Sequence, residues 1–334
     1  MATPRSQIVD VNTTPYYHCM SKCVRGSFLC GLNNDTKRDY SHRKQWIADR
    51  LQRLSQVFAI QVCSYAVMSN HYHLLLYVNI DLVDSWDDET VLKRWESLFP
   101  ISTKKYPQLP PEEQRQLIEL WRGRLMSLSW FMRCLNEDIA RRSNIEDDCK
   151  GRFWAGRFLS QALLDDEALL AAMVYVDLNP IRACIATTPE ESDFTAIQER
   201  IRHVSKEIGK KLTTNTQELK SALDQASQPI TLMPFLISRN PNPLFSNLNF
   251  TFSEYLEILD YTSREPREDK RGFVSEFLPN IFDRIAIKPK NWCTFVSNLK
   301  SFSYAIGSAE SLKHFGGFVR KRALKGSTLA KACF

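Results

Sequence analysis

Two histidines flank a tyrosine in the apolar segment NHYHLLL, as His71, Tyr72 and His73. Residues two apart on a β-strand point to the same face, so this spacing would place the two imidazoles side by side. Such a pair is a natural platform for a divalent metal ion. The alternative is a pair of strand histidines that local hydrogen bonds satisfy. A histidine-triad nucleotide hydrolase is disfavoured, because Leu75 occupies the position of its third histidine.

A tyrosine and an asparagine stand four residues apart in YVDLNP, as Tyr175 and Asn179. Helical spacing would place them on one face, although Pro180 disfavours helical geometry at the residue before it. A tyrosine hydroxyl can act as a nucleophile where a metal ion or a base stabilises its anion. An asparagine oxygen is a neutral metal ligand. The plainer interpretation is a tyrosine that packs in the core.

Arginines and aromatic residues are interleaved in GRFWAGRF, residues 151–158. Arginine pairs with phosphate and an aromatic ring stacks on a base, a combination that suits single-stranded nucleic acid. Arg152, Trp154 and Arg157 are therefore candidate DNA-binding residues. A strand whose aromatic rings face the core and whose arginines face water fits the same pattern equally well.

These motifs fall on elements in the order β-α-β-β-α-β-α, as hydrophobic periodicity and helix-start signals indicate. Strands are expected over 15–21, 59–68, 71–79 and 151–162, and helices over 41–57, 117–144 and 165–178. This order predicts an α+β fold: a ferredoxin-like (RRM-like) antiparallel sheet with helices on one face.

The 334 residues carry a net charge of +6, which permits a polyanionic partner without requiring one. The basic surplus lies at two ends: residues 1–80 hold nine basic residues, Lys22 and Arg25 among them, and four acidic ones, and residues 301–334 hold six and one. The apolar runs are too short for a membrane helix and the first residues lack a signal-peptide core, so we expect a cytoplasmic protein. Nine irregularly spaced cysteines without a CxxC pair favour buried thiols over disulfides or a zinc site.

Composition shifts predict three segments. Residues 1–200 form the first domain, with an acidic insertion at about 81–114. Residues 201–244 form a helix and a proline-punctuated linker. Residues 245–334 form a mainly helical C-terminal domain, with helices expected over 273–287, 291–306 and 311–323. That domain either binds DNA through its basic side chains or braces the fold.

Four segments occur in a fixed order: NHYHLLL, LSWFMRCLNEDIARRSN, GRFWAGRF and YVDLNPIRA. Together they resemble the REP-associated tyrosine transposases, a branch of the HUH single-strand DNA transposases with one catalytic tyrosine. The resemblance covers roughly residues 14–200 and implies the HUH endonuclease fold. It implies that His71 and His73 are the HUH pair, that Asn179 completes a site for Mg²⁺ or Mn²⁺, and that Tyr175 is the nucleophile.

The resemblance also implies a function. A bacterial, nucleoid-associated enzyme, monomeric or homodimeric, would cleave and rejoin single-stranded DNA at imperfect palindromic hairpins through a 5′-phosphotyrosine intermediate. Lys22 and Arg25 would join the three residues of GRFWAGRF named above in contacting this DNA. Two alternatives remain open at this point: a domesticated DNA-hairpin-binding protein with little or no catalysis, and an RNA-binding protein on a ferredoxin-like sheet.

Overall fold

A computed structural model describes residues 8–33, 37–209, 216–238, 246–264, 287, 289–319 and 324–334. Within these ranges, five strands form one sheet. They are Tyr16–Lys22 (β1), Ile60–Val67 (β2), His71–Val78 (β3), Leu159–Leu163 (β4) and Ala305–Ile306 (β5). The prediction of a mixed α+β fold is confirmed.

Helices connect and cover these strands. Those that precede β4 are His42–Val57 (α1), Ile80–Asp84 (α2), Asp88–Leu98 (α3), Pro100–Thr103 (α4), Pro111–Leu125 (α5) and Leu128–Glu146 (α6). Those that follow β4 are Asp166–Asp177 (α7), Asn179–Arg182 (α8), Ala196–Ile208 (α9), Thr216–Gln225 (α10), Phe252–Ser263 (α11), Pro289–Ser297 (α12), Ala309–Phe318 (α13) and Ser327–Cys333 (α14).

The strand order is β2-β3-β1-β4-β5. The pairs β2–β3, β3–β1 and β1–β4 are antiparallel, and β4–β5 is parallel. In the register, Met20 lies opposite His73, and His18 lies opposite both Leu75 and Gln161. Because directly opposed residues share a face, the side chains of His18, His73 and Gln161 emerge on the same side of the sheet.

Helices cover both faces of the sheet, which corrects the expectation of helices on one face. On one face, the Tyr72 hydroxyl donates to Asn136 Oδ1 of α6. On the opposite face, the Ser64 hydroxyl of β2 donates to Asp177 Oδ1 of α7. All eight residues of β2 are buried. A strand that is apolar on both sides has to be covered on both sides.

The segment expected as a strand over 151–162 is a strand only from Leu159 onward, which corrects that prediction. Residues 151–158 are irregular, with one isolated β-bridge between Trp154 and Cys23. Two glycines in this stretch, Gly151 and Gly156, leave too few side chains to pack as a regular strand.

The helix expected over 117–144 is two helices, because the chain breaks at Met126 and Ser127. The side chain of Ser127 accepts the Trp130 amide, so it caps the start of α6. An N-cap serine has non-helical backbone geometry and ends the preceding helix. The insertion at 81–114 is also helical. With α5 it forms a second hydrophobic cluster centred on Trp86, Trp95 and Trp121.

The C-terminal residues share the core of the sheet. Trp292, Phe295 and Phe315 belong to the same hydrophobic cluster as the residues of β1 to β4, and β5 extends the sheet beside β4.

The domain boundaries at 200 and 245 stay predictions. The helix expected over 273–287 and the basic residues Arg320 to Arg322 lie outside the described residues. Among those described, no helix has the length and apolarity to cross a bilayer.

Candidate functional site

A cavity of about 800 Å³ opens on the face of the sheet that carries His71 and His73. Strands β1, β3 and β4, helix α7, the start of α8 and the segment 299–304 form its walls. The polar and titratable side chains that line it are His18, Lys22, Asn70, His71, His73, Arg157, Ser160, Gln161, Tyr175, Asn179, Lys300, Ser303 and Tyr304. The sequence motifs around the two histidines and the tyrosine therefore meet in one place.

The two histidines of β3 are held with one ring nitrogen each engaged. Nδ1 of His71 lies 2.6 Å from Asn70 Oδ1, and Asn70 Nδ2 donates in turn to the carbonyl of Gly26 at 3.0 Å. Because that carbonyl only accepts, the Asn70 oxygen must face the ring, so His71 Nδ1 carries the proton. The Nε2 lone pair of His71 is left for another partner.

A third imidazole, His18 of β1, contacts His73. His18 Nε2 lies 2.8 Å from His73 Nδ1, and the two rings meet edge to edge, inclined by 21° with centroids 5.1 Å apart. The other ring nitrogen of His18, Nδ1, lies 3.0 Å from Gln161 Oε1 of β4. This contact occupies Nδ1 of His73 and leaves its Nε2 without a protein partner in the contacts of the described residues.

Tyr175 approaches this group from α7. Its ring centroid lies 5.8 Å from that of His73 and 6.4 Å from that of His18, both edge-on. The guanidinium of Arg182 lies 5.5 Å from the tyrosine ring centroid. Tyr175 is only 7 % exposed, and its exposed part faces the cavity.

Asn179 lines the same cavity as Tyr175, although α7 ends between them. The helix stops at Asp177, and the short helix α8 begins at Asn179. Asn179 Nδ2 is buried and has no hydrogen-bond partner within the described part of the chain. Buried polar atoms nearly always have a partner, so the Asn179 amide is suited to a group that a ligand supplies.

Burial keeps the imidazoles of the cavity neutral. Loss of hydration lowers the pKa of His18 to about 4, against the opposing effect of the hydrogen bond to Gln161. Loss of hydration, together with Lys22 and Lys300 nearby, lowers the pKa of His71 to about 4. Burial and the neighbouring imidazoles hold the pKa of His73 well below its ordinary value. Neutral rings can accept a hydrogen bond or bind a cation.

The charged side chains of the cavity are all basic. Lys22, Arg157 and Lys300 line it, and no aspartate or glutamate does so among the described residues. Most enzyme clefts that bind hard cations use carboxylates. A cleft with three cations and no anion is suited to an anionic ligand such as a phosphodiester.

The other candidate DNA-binding residues lie elsewhere. Arg25 and Arg152 are exposed outside the cavity. Trp154 is only 8 % exposed, packs edge-on against Tyr72 and donates its indole N–H to the carbonyl of Asn136. These contacts agree with the interpretation in which the aromatic rings of GRFWAGRF face the core, and a role of Trp154 in DNA binding stays a prediction.

The donor set fits a divalent metal ion. Among the described residues, Nε2 of His71 and Nε2 of His73 have no partner. No protein partner there fixes the Asn179 nitrogen either, so the amide is able to turn its oxygen towards a metal ion. Within the described ranges, no group of three or more His, Cys, Asp or Glu side chains is arranged to hold a metal. A metal here would therefore depend on the asparagine oxygen as its third protein ligand. Imidazole ligands favour Mn²⁺ over the harder Mg²⁺.

The cavity residues that sequence reasoning missed include His18, Gln161 and Lys300. The first two lie on predicted strands, but only the register shows that they share a face with His73. Lys300 lies more than 100 residues after the predicted site residues in the sequence. No local signal joins it to the site, because the wall it belongs to is built by the return of the chain to the edge of the sheet.

Comparison with known proteins gives little. No protein-family model matches the sequence, and no curated protein matches it. A solved structure described as a REP-associated tyrosine transposase bound to a REP hairpin is similar over 60% of this chain and 86% of that chain, at 10% sequence identity and a TM-score of 0.37. At such identity and superposition, the likeness does not bear on the function of this chain.

Proposed function

We propose that the protein is a metal-dependent endonuclease and strand transferase for single-stranded DNA that forms imperfect palindromic hairpins. One observation carries the proposal. One cavity, whose charged side chains are all basic, is lined by His71, His73, Tyr175 and Asn179. More than 100 residues of sequence separate the two histidines from Tyr175 and Asn179. These are the residues that the resemblance to the REP-associated tyrosine transposases assigns to nucleophile and metal site.

We also infer a ferredoxin-like sheet of the HUH endonuclease type. The order β4-β1-β3-β2 within the sheet, with a helix between β1 and β2 and a short turn between β2 and β3, supports this assignment. In such a sheet β1 and β3 are central, so histidines on them lie away from the edges. The fifth strand and the helices on the second face are additions to this arrangement.

The tyrosine and the three other side chains have different roles in the proposed reaction. Tyr175 Oη attacks the phosphorus and loses its proton, a 5′-phosphotyrosine bond forms, and the 3′-oxygen leaves and takes up a proton. The linkage keeps the energy of the phosphodiester, so a 3′-hydroxyl can reverse the step and rejoin DNA. His71, His73 and Asn179 would hold Mg²⁺ or Mn²⁺, which supplies charge stabilisation at the phosphate.

The cations of the cavity would position the strand. Lys22 and Arg157 flank the histidines from β1 and from the segment before β4, and Lys300 faces them from the C-terminal wall. Each contact to a phosphate adds affinity that depends on salt. A single strand is required because the reacting phosphorus has to enter a cavity lined by buried rings.

The test uses a pool of single-stranded oligonucleotides labelled at the 3′ end, because the fragment 3′ to the cut stays on the tyrosine. Each carries an imperfect palindromic hairpin and random flanks. With Mn²⁺, the wild-type protein should form a covalent adduct that survives a denaturing gel. Tyr175→Phe should form none, since it lacks the attacking oxygen, yet should still retard the same oligonucleotides in a native gel.

Tyr304→Phe is the matched control, because Tyr304 lines the same cavity. It should form the adduct as the wild type does. An adduct from Tyr175→Phe together with its loss in Tyr304→Phe would refute the assignment of the nucleophile. Tight binding without any wild-type adduct would favour the alternative, a hairpin-binding protein without catalysis.

A further inference from the structure

A chain of hydrogen bonds runs from the C-terminal wall of the cavity to the His71/His73 pair. The amide nitrogen of Gln161 donates to the carbonyl oxygen of Phe302 at 3.0 Å. Gln161 Oε1 lies 3.0 Å from His18 Nδ1, and His18 Nε2 lies 2.8 Å from His73 Nδ1. His18 and His73 are buried and Gln161 is partly buried, which limits competition from water.

The first link fixes the direction of all the others. A backbone carbonyl only accepts hydrogen bonds, so the Gln161 amide must turn its nitrogen towards Phe302 and its oxygen towards His18. That oxygen also only accepts, so the proton of His18 sits on Nδ1.

The last link follows from the same logic. In a neutral ring with its proton on Nδ1, the Nε2 of His18 is an acceptor. The proton between the two rings must then come from His73 Nδ1. The Nε2 of His73 is left as a lone pair, the form of imidazole that binds a metal ion.

We propose that His18 and Gln161 are positioning residues that, anchored on the carbonyl of Phe302, set His73 in its Nδ1–H tautomer and keep its Nε2 available for a metal ion. This rests on the proposed function for its purpose, but the tautomer itself is a property of the metal-free protein. The segment 299–304 then contributes to the site in two ways. It supplies the Phe302 carbonyl, which orients Gln161, and it forms a wall of the cavity.

The geometry also explains why a glutamine suits this position. A carboxylate at Gln161 would repel the carbonyl of Phe302, and an apolar side chain would leave that carbonyl and His18 Nδ1 without partners. Partners that orient a metal-binding histidine through its second nitrogen commonly change metal affinity 10–100-fold when they are removed.

The test compares wild type, Gln161→Met and Gln108→Met in the absence of DNA. Two-bond ¹H–¹⁵N spectra of the metal-free proteins report the tautomer of each histidine, with the His73 signals assigned by their loss in His73→Gln. The wild type should show His73 as the Nδ1–H form. Titration with Mn²⁺ alone should give a dissociation constant roughly 10–100-fold higher for Gln161→Met than for wild type.

Gln108→Met is the matched control, since it makes the same substitution at an exposed position outside the cavity. It should match the wild type in both readouts. His73 in the Nε2–H form in the wild type would overturn the inference without any variant being needed. So would an unchanged tautomer and unchanged Mn²⁺ affinity in folded Gln161→Met. If the wild type shows the Nδ1–H form of His73 but binds no Mn²⁺, the positioning stands and the metal dependence of the proposed function fails.

Discussion

Asp177 sits between Tyr175 and Asn179 in the sequence and points into the core rather than into the cavity. It is buried, and its carboxylate accepts hydrogen bonds from the hydroxyls of Ser64 and Tyr255. Ser64 belongs to β2 and Tyr255 to α11, so this one carboxylate ties the end of α7 to the sheet and to the C-terminal residues. The positions of Tyr175 and Asn179 depend on that tie.

Tyr255→Phe should therefore lower the free energy of unfolding by about 1–3 kcal/mol, since it leaves a buried carboxylate with one hydrogen bond fewer. Burial already raises the pKa of Asp177 to about 6, and the bond from Tyr255 opposes that rise. In the variant the pKa of Asp177 rises further. The stabilisation that a raised pKa gives the folded form is present at pH values below that pKa, and it is lost as the pH rises through the pKa.

The loss of stability in Tyr255→Phe should accordingly be larger at pH 8 than at pH 5, as chemical denaturation at the two pH values will measure. Tyr106→Phe, on the helical insertion and away from this carboxylate, is the control and should change little at either pH. An equal loss at both pH values in Tyr255→Phe would contradict the link to Asp177.

At the scale of elements, the segment from Leu299 to Tyr304 does most to shape the cavity. It follows α12 and leads into β5. Five of its six residues line the cavity beside the histidines: Leu299, Lys300, Phe302, Ser303 and Tyr304. In this part of the structure the C-terminal residues brace the fold and close the site at once. The two roles left open from the sequence, bracing and DNA contact, are therefore compatible.

Lys300→Ala should weaken binding of a single-stranded hairpin oligonucleotide and reduce the slope of log K against log salt by roughly 0.7, the value for one phosphate contact on a single strand. Fluorescence anisotropy over a salt series gives both quantities. Lys331→Ala removes the same charge from α14, outside the cavity, and should leave the slope unchanged. Equal slopes for Lys300→Ala and wild type would remove Lys300 from the proposed DNA path.

The sequence predicted several elements closely, because their signals are local. The strand expected over 71–79 is observed over 71–78, and the helix expected over 41–57 begins at His42 and ends at Val57. Alternation of apolar residues and helical spacing carry those signals. What the sequence could not predict needed non-local information: Trp154 packs inward through contacts with α6, and His18 joins the site only through the pairing of β1 with β3 and β4.

At the scale of the whole molecule, three neutral imidazoles are packed together in the interior: His18, His71 and His73. Their lowered pKa values mean that the unfolded chain binds protons more readily between pH 6.5 and about 4. Stability contributed in this way is present above pH 6.5 and is lost as the pH falls. The metal-free protein should therefore be destabilised by mild acid.

For His18 alone, a fall from pH 7.5 to 5 should cost about 2 kcal/mol of the free energy of unfolding. Urea denaturation of the metal-free protein at both pH values, for wild type and His18→Gln, isolates this share. Asp177 titrates in the opposite sense, but it is common to both proteins and cancels. A pH dependence as steep in His18→Gln as in wild type would contradict the burial of a neutral ring. His314→Gln, at an exposed position of α13, is the control.

The pairing of β5 with β4 joins residues about 140 positions apart in the chain. During synthesis from the N-terminus, Tyr175, His71 and His73 leave the ribosome long before Lys300 and Phe302 do. Contacts between such distant residues also form late in folding, because closing a long loop costs chain entropy. A nascent chain thus holds the chemical groups of the site without its C-terminal wall. The cavity can take its final shape only after residues 299–306 have been synthesised, so any activity that needs this wall would be absent from a shorter nascent chain.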